Sequence, residues 1–306
     1  MKRTFLLPLV AFFVTTAASL SFSAQFPLSP ASHDALLGEV RYTTTSSFDT
    51  PVTLAQRYDV GLNAIIAANP GSTQTDLGSS DVAKIPTAFL LPGSARHGII
   101  VNLPEMRLYY YPENRQEVVT LPVGIGKVGT TIPIQRTVVT QKKINPTWTP
   151  TPSIRKYNAD KGVDLPSQMP AGPDNPLGPY AIYLGIPTYL IHSTIYPDSI
   201  GRRASFGCIR MREDDIKVFF PLVTKGTPVI IVNMPNKVGW QGNRLYLEAH
   251  PLLEEHALSD EDNMGAVVQS IEGAIPANGM TLVNWPIAAD ILQQPDGVPH
   301  GIGVRV

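Results

Sequence analysis

Residues 189–211 read Y-L-I-H-S-T-I-Y-P-D-S-I-G-R-R-A-S-F-G-C-I-R-M and hold Cys208, the single cysteine of the 306-residue chain. Tyr189, Leu190 and Ile191 read as a short apolar strand ending on His192. A loop punctuated by Pro197, Asp198 and Gly201 then returns the chain to Ser205-Phe206-Gly207-Cys208. Such spacing suits a base and a nucleophile on neighbouring elements. A free thiol, with a pKa of roughly 8.5, is mostly protonated at neutral pH, and an imidazole within reach removes that limit by taking the proton. Gly207 lets the backbone approach a carbonyl closely, and the N–H groups of Gly207 and Cys208 form a candidate oxyanion hole. Read singly, Cys208 is a small buried hydrophobe and His192 a polar strand end. The pair, the turn and the compartment argued below favour catalysis.

His192-Ser193-Thr194 followed by Ser205-Phe206-Gly207-Cys208-Ile209-Arg210 resembles the signature of the L,D-transpeptidases, cysteine acyltransferases of the bacterial wall. Their pattern is His-Gly-Thr, a loop, then Ser-x-Gly-Cys-Ile/Val-Arg. Ser193 stands where many members have glycine, and Phe206 where many have a second histidine. The resemblance implies Cys208 as nucleophile, His192 as proton acceptor and donor, and the backbone carbonyl of Ser193 as the group orienting His192. Gly207 is the candidate oxyanion donor of the turn, and Arg210, Ser205 and Thr194 are candidate substrate contacts. Arg210 has two readings, a contact to a substrate carboxylate or an ion pair with Asp214 or another acid that fixes the turn.

The implied reaction is attack of Cys208 on the diaminopimelate carbonyl of a tetrapeptide stem, release of D-alanine and transfer of the acyl group to an amine. That amine belongs either to a second stem or to a lysine of an outer-membrane lipoprotein. Two alternatives stand beside it: hydrolysis of the same bond by an L,D-carboxypeptidase, and a non-catalytic peptidoglycan-binding protein. The family is also generally susceptible to acylation by carbapenems. Thiol acyl transfer needs no cofactor. His250 and His256 are not spaced as helical metal ligands, so no metal site is expected.

Residues 1–24 carry Lys2 and Arg3, an apolar run and then small residues, the pattern of a secretory signal. Periplasmic export with no membrane anchor after cleavage is the expectation. A lone thiol in an oxidising compartment has no intramolecular partner, which favours a functional role. With 24 basic against 25 acidic residues, the chain shows no basic stripe for nucleic acid. Twenty-nine prolines and 24 glycines favour short strands and turns over long helices.

The expected class is therefore mainly β, a β-sandwich or partly closed barrel over residues 97–233 with small units on either side. Residues 40–88 show two short helical periods, Val52/Leu54/Ala55/Tyr58 and Leu62/Ile65/Ile66/Ala68, between two strands. They resemble the LysM module, which binds glycan strands. In this reading the unit anchors the enzyme and every catalytic element comes from 97–233. Within that domain, residues 98–112 read as a hairpin around Pro104-Glu105. The glycines of 124–129 mark a strand and turn with no helix to hold a dinucleotide. Residues 153–169 read as a polar lid loop, and Trp148 as core. Asp214 or Asp215 is expected to cap a helix through Ile216, Phe219, Phe220 and Val223. Residues 234–306 read as an extension with a helical appendage.

Overall fold

The computed structural model describes residues 24–28, 34–78, 81–93, 96–113, 115–130, 132–277 and 279–306. The expected export signal lies outside these residues except for Ala24, which opens the first strand. Among the described residues no helix is long and apolar enough to cross a membrane.

The N-terminal elements are β1 (Ala24–Pro27), β2 (Leu36–Gly38), β3 (Arg41–Thr44), α1 (Pro51–Arg57), α2 (Leu62–Ala68), β4 (Val82–Ile85) and β5 (Ala88–Leu90). The central elements begin with β6 (Gly98–Asn102), β7 (Arg107–Tyr111), β8 (Glu117–Pro122), β9 (Ile125–Gly126), β10 (Arg136–Ile144) and α3 (Pro152–Ala159). They continue with β11 (Tyr180–Leu184), β12 (Leu190–His192), β13 (Arg203–Ser205), β14 (Ile209–Arg210), α4 (Glu213–Leu222) and β15 (Pro228–Val232). The C-terminal elements are β16 (Asn236–Gln241), β17 (Arg244–Ala249), α5 (Asp260–Ala274), β18 (Thr281–Val283), α6 (Trp285–Gln293) and β19 (His300–Arg305).

A mixed sheet in the order β1-β8-β7-β6-β15-β10-β11-β12-β14 forms the centre. Strands β6 and β7 read as unbroken apolar runs because both of their faces are covered. Ile99, Val101, Leu108 and Tyr110 join the interior core, whereas Ile100, Tyr109 and Tyr111 pack against Leu37, Leu90 and Leu91. The sheet curls until Gly124, just beyond β8, exchanges two backbone hydrogen bonds with Arg210 of β14, each 2.8 Å. That seam makes the sheet a partly closed barrel and brings β14 beside the glycine-rich segment.

In the N-terminal unit β3 and β4 pair antiparallel around α1 and α2, as the two apolar periods require. Thr50 and Thr53 cap each other's backbone at the start of α1, and Leu54, Leu62, Ile65 and Ile85 fill a small core. The C-terminal extension is more than a helical appendage. Its β16-β17-β19-β18 sheet carries α5 and α6 over a core that includes Leu245, Leu247, Val267, Ile271 and Ile302. The alternation of Leu245, Leu247 and Ala249 and the i, i+4 pair Val267 and Ile271 are the sequence signals of this core.

Buried charges fasten that extension to the barrel. Lys237 Nζ lies 2.9 Å from Glu105 and 2.8 Å from Glu248, and donates to Tyr109 Oη at 3.0 Å. Against the cost of burial, Lys237, then His250 and Arg107, hold the Glu105 carboxyl at about 2. Glu105, Glu248 and His250 converge with the geometry of a metal triad, but the ammonium of Lys237 already bonds both glutamates.

Helix α4 has its N-cap two or three residues before the expected one. Its N-cap is Arg212, and Glu213, Asp214 and Asp215 all lie in the first turn, where the helix dipole favours acids. The expected lid loop contains α3. Its Thr151-Pro152 start supplies a side-chain cap to the Ile154 N–H at 3.4 Å and a proline at the first helical position.

Candidate active site

Cys208, His192 and Arg210 share a cleft of about 880 Å³, walled on the other side by Trp148, Thr149 and Ile154. Trp148 therefore lines the cleft and is not a core residue. The lining carries Lys143 and Arg210 and, among the described residues, no carboxylate. An anionic substrate is favoured in such a cleft.

Parallel pairing sets His192 of β12 against Arg210 of β14, with Ile191 against Ile209. The His192 carbonyl accepts from the Met211 N–H at 2.9 Å, so the base and the segment carrying the nucleophile are tied at the backbone. Gly207 sits at φ +113°, where a Cβ would lie 2.6 Å from both the Thr130 oxygen and Tyr189 Cε1. The turn closes against Tyr189 only with glycine there.

The hydrogen bonds give three of the expected site residues partners within the protein. The Gly207 N–H donates to Ser205 Oγ at 3.0 Å and is thus engaged within the turn. Ser205 is buried, and its Oγ donates to the Cys208 carbonyl at 2.6 Å. It braces the nucleophile turn at the edge of the cleft. Thr194 is also buried, with Oγ1 accepting from the Tyr196 N–H at 3.1 Å, so it shapes the following loop. The common cause is that a tight turn leaves backbone donors needing partners, and short hydroxyl side chains supply them.

His192 Nδ1 lies 2.5 Å from the Ser193 carbonyl oxygen. A carbonyl only accepts, so Nδ1 carries the proton and the neutral ring keeps its lone pair on Nε2. Burial, helped by the Arg210 charge and opposed by the carbonyls of Ser193 and Leu177, lowers His192 to about 4. Burial pushes the Cys208 thiol up to about 11, against the Leu190 N–H and the Arg210 charge. The resting pair is therefore a neutral thiol and a neutral imidazole. Sγ donates to the carbonyl of Thr188 at 3.6 Å, and Thr188 itself is held at φ +72°. A β-branched residue in that region is a genuine outlier, here placed against the thiol.

Phe206 joins this turn to α3. Its ring meets Tyr157 edge-on with centroids 4.9 Å apart. Lys127 Nζ lies 3.7 Å from the Phe206 centroid and 3.5 Å from that of Tyr157. Lys161 Nζ donates to Tyr157 Oη at 2.6 Å. Asn175 anchors the far end of the same wall. It is buried, donates to the Pro146 carbonyl at 2.9 Å and accepts from the Leu177 N–H at 2.9 Å.

The sequence reading assigned no role to Lys127, Tyr157, Asn175 or Thr188, because each has a decisive partner far along the chain, Phe206 for Lys127 and Tyr157, Pro146 for Asn175 and Cys208 for Thr188. It also chose between fates for Arg210 that the structure separates. Arg212, not Arg210, makes the acidic contacts, reaching Asp59 at 2.6 Å and Asp215 at 3.9 Å. Arg210 lines the cleft with a buried Nε that has no partner among the described residues.

Residues 96–231 match the L,D-transpeptidase catalytic domain family known as YkuD. The chain is 39% identical to the probable L,D-transpeptidase YcfS of Escherichia coli strain K12, over 97% of this chain and 94% of that protein. It is 41% identical to the probable L,D-transpeptidase ErfK/SrfK of the same strain, over 95% of this chain and 94% of that protein. The catalytic domain of an E. faecium L,D-transpeptidase, solved by NMR, aligns with 46% of this chain and all of its own at 25% identity and a TM-score of 0.35. With a barrel that carries a cysteine and a histidine in one cleft, and with relatives matching it nearly end to end, the chain belongs to the L,D-transpeptidase family of acyl-transferring enzymes.

Proposed function

We propose that this L,D-transpeptidase is exported to the periplasm and acts on the tetrapeptide stems of peptidoglycan, with Cys208 as nucleophile and His192 as its base. The observation that carries this reading is the His192 Nδ1 contact to the Ser193 carbonyl, which leaves Nε2 as the base nitrogen in the cleft shared with Cys208. His192 Nε2 takes the thiol proton as Sγ bonds the diaminopimelate carbonyl carbon. Collapse of the tetrahedral intermediate breaks the bond to D-alanine, whose departing amine receives the proton from His192. An acceptor amine then attacks the thioester, its proton passes to His192, and the thiol is restored. With the Gly207 N–H committed to Ser205, the Cys208 N–H is the turn's remaining candidate for the oxyanion.

Arg210 and Lys143 support the substrate class, since both line a cleft without carboxylates and stem peptides are acidic. The unit over 40–88 is LysM-like in its strand-helix-helix-strand order and is assigned glycan binding. The acceptor is a second stem or a lipoprotein lysine. Mass spectrometry of products from tetrapeptide muropeptides, with and without each acceptor, tests the reading. Dimeric muropeptides or lipoprotein adducts support transpeptidation, trimmed stems indicate a carboxypeptidase, and unchanged muropeptides refute the substrate.

A further inference from the structure

Two arginines flank the nucleophile in sequence, and each is gripped by a carboxylate from outside the barrel. Arg203 lies on β13, immediately before the Ser205-Cys208 turn. Its terminal nitrogens bond Glu255 of the C-terminal extension at 2.9 and 2.5 Å, while its Nε donates to the Gly126 carbonyl at 3.2 Å. Arg212 caps α4, immediately after β14. Its Nη1 bonds Asp59 of the N-terminal unit at 2.6 Å, and its Nη2 donates to the carbonyls of Ala55 and Val60 at 3.0 and 2.7 Å.

The loop between His192 and Cys208 is held from the same side. Leu62 and Asn63 at the start of α2 donate their N–H groups to the carbonyls of Ile200 and Gly201, both at 3.1 Å. These helix-start donors have no partner within α2, so the loop supplies their acceptors. Gly201 is at φ +74°, and a Cβ there would lie 2.3 Å from the Gly61 Cα. Gln56 Nε2 adds a contact to Asp198 at 3.1 Å.

We propose that Arg203 and Arg212 are positioning residues that fix the nucleophile turn only while Glu255 and Asp59 hold them, so that both accessory units belong to the acylation machinery. The inference rests on the reading of Cys208 as nucleophile. The turn needs such support because β14 has two residues and pairs with β12 at two positions only. Both ion pairs are largely shielded from water, with side-chain exposures of 16% and 25% for Arg203–Glu255 and 13% and 18% for Arg212–Asp59. They are less screened than ordinary surface pairs and are geometrically multidentate. A purely tethered sugar-binding module would touch neither the loop after His192 nor the helix after Cys208. This one touches both.

The test uses the full chain with Asp59→Asn and Glu255→Gln, singly and together, and follows acylation of Cys208 by a carbapenem. The maximal acylation rate and the half-saturating concentration are measured separately, alongside thermal unfolding. Displacement of a nucleophile by about 1 Å costs on the order of 10²-fold, so a drop of roughly tenfold or more in maximal rate is expected for each variant, with half-saturation unchanged. Asp59→Glu should restore most of the rate. Folded variants that acylate at the wild-type maximal rate, or that change half-saturation alone, overturn the proposal. If a carboxamide variant fails to fold, Arg203→Lys and Arg212→Lys, which keep the charge and lose the multidentate grip, are measured in the same way. A lowered maximal rate supports the proposal and an unchanged one overturns it. A wild-type protein that is not acylated at Cys208 would refute the nucleophile assignment itself, which keeps the two failures distinct.

Discussion

The Nδ1 of His192 lies 2.5 Å from the carbonyl oxygen of its own neighbour, Ser193. The orienting group is backbone, so it survives any substitution at 193 that keeps the local fold. The Ser193 side chain has a separate task, since Oγ accepts from the Tyr180 N–H at 3.0 Å and donates to the Leu177 carbonyl at 2.9 Å. Ser193→Gly is therefore expected to keep the acylation rate while lowering stability by about 1–3 kcal/mol, the cost of leaving buried partners unsatisfied. Thermal unfolding and carbapenem acylation, measured on the same protein, check both halves. His192→Ala should instead slow acylation by roughly 10²–10⁴-fold.

The two pKa shifts predict an unusual pH profile. Because burial, aided by Arg210, holds His192 near 4, the imidazole remains an unprotonated base well below pH 6. Acylation should hold its rate down toward pH 4–5, and a fall centred near 6.5 would contradict the assigned environment. Alkylation of Cys208 by iodoacetamide reports the thiolate and should rise toward pH 11. In folding, an unfolded His192 binds a proton at a higher pH than the folded one. Its contribution to stability is thus lost as pH falls from about 6.5 toward 4.

Asp215 carries the opposite sign. Burial, then the nearby Asp59 charge, raise it to about 8 against the pull of Arg212. Between the ordinary carboxylate range and pH 8 the folded protein binds more protons than the unfolded chain, so this group's contribution to stability declines as pH rises through that window. Asp215→Asn should remove that component of the slope. Unfolding curves at pH 5, 6, 7 and 8 for both proteins measure it, and identical slopes would contradict the shift.

Much of this architecture is legible in residues read locally. The apolar strand before His192, the glycine before Cys208 and the paired short helices of the N-terminal unit each follow from period or turn chemistry. Less visible is whatever depends on distant partners. Ser205 and Thr194 look like substrate hydroxyls until their backbone partners are known. Trp148 looks like core until its pairing with Met169 and its place on the cleft wall are known. Arg210 and Arg212 are chemically equivalent in sequence, and only folding shows that acids reach the second. The extension over 234–306 is harder to read because its apolar positions are spread over separate elements, Leu245 and Leu247 on β17, Val267 and Ile271 on α5 and Ile302 on β19, which only folding brings together.

Tyr157 tests the link between the nucleophile turn and α3. Tyr157→Ala removes the edge-on contact to Phe206 and one of the two rings beneath Lys127. Cation–π contacts of this kind contribute about 0.5–1 kcal/mol each at exposed sites. Hydrogen exchange over residues 152–159 should quicken in the variant while the β6–β7 core is unchanged. Equal exchange in both proteins would show that α3 is held by other contacts.

The central claim is that Cys208 carries the acyl group, with His192 moving the proton. Intact-protein mass spectrometry after brief mixing with a tetrapeptide stem measures this directly. The expected result is a single adduct equal to the stem less D-alanine, mapped to Cys208, absent in Cys208→Ala and strongly slowed in His192→Ala. An adduct on another residue, or one that forms at the wild-type rate without His192, would contradict the account.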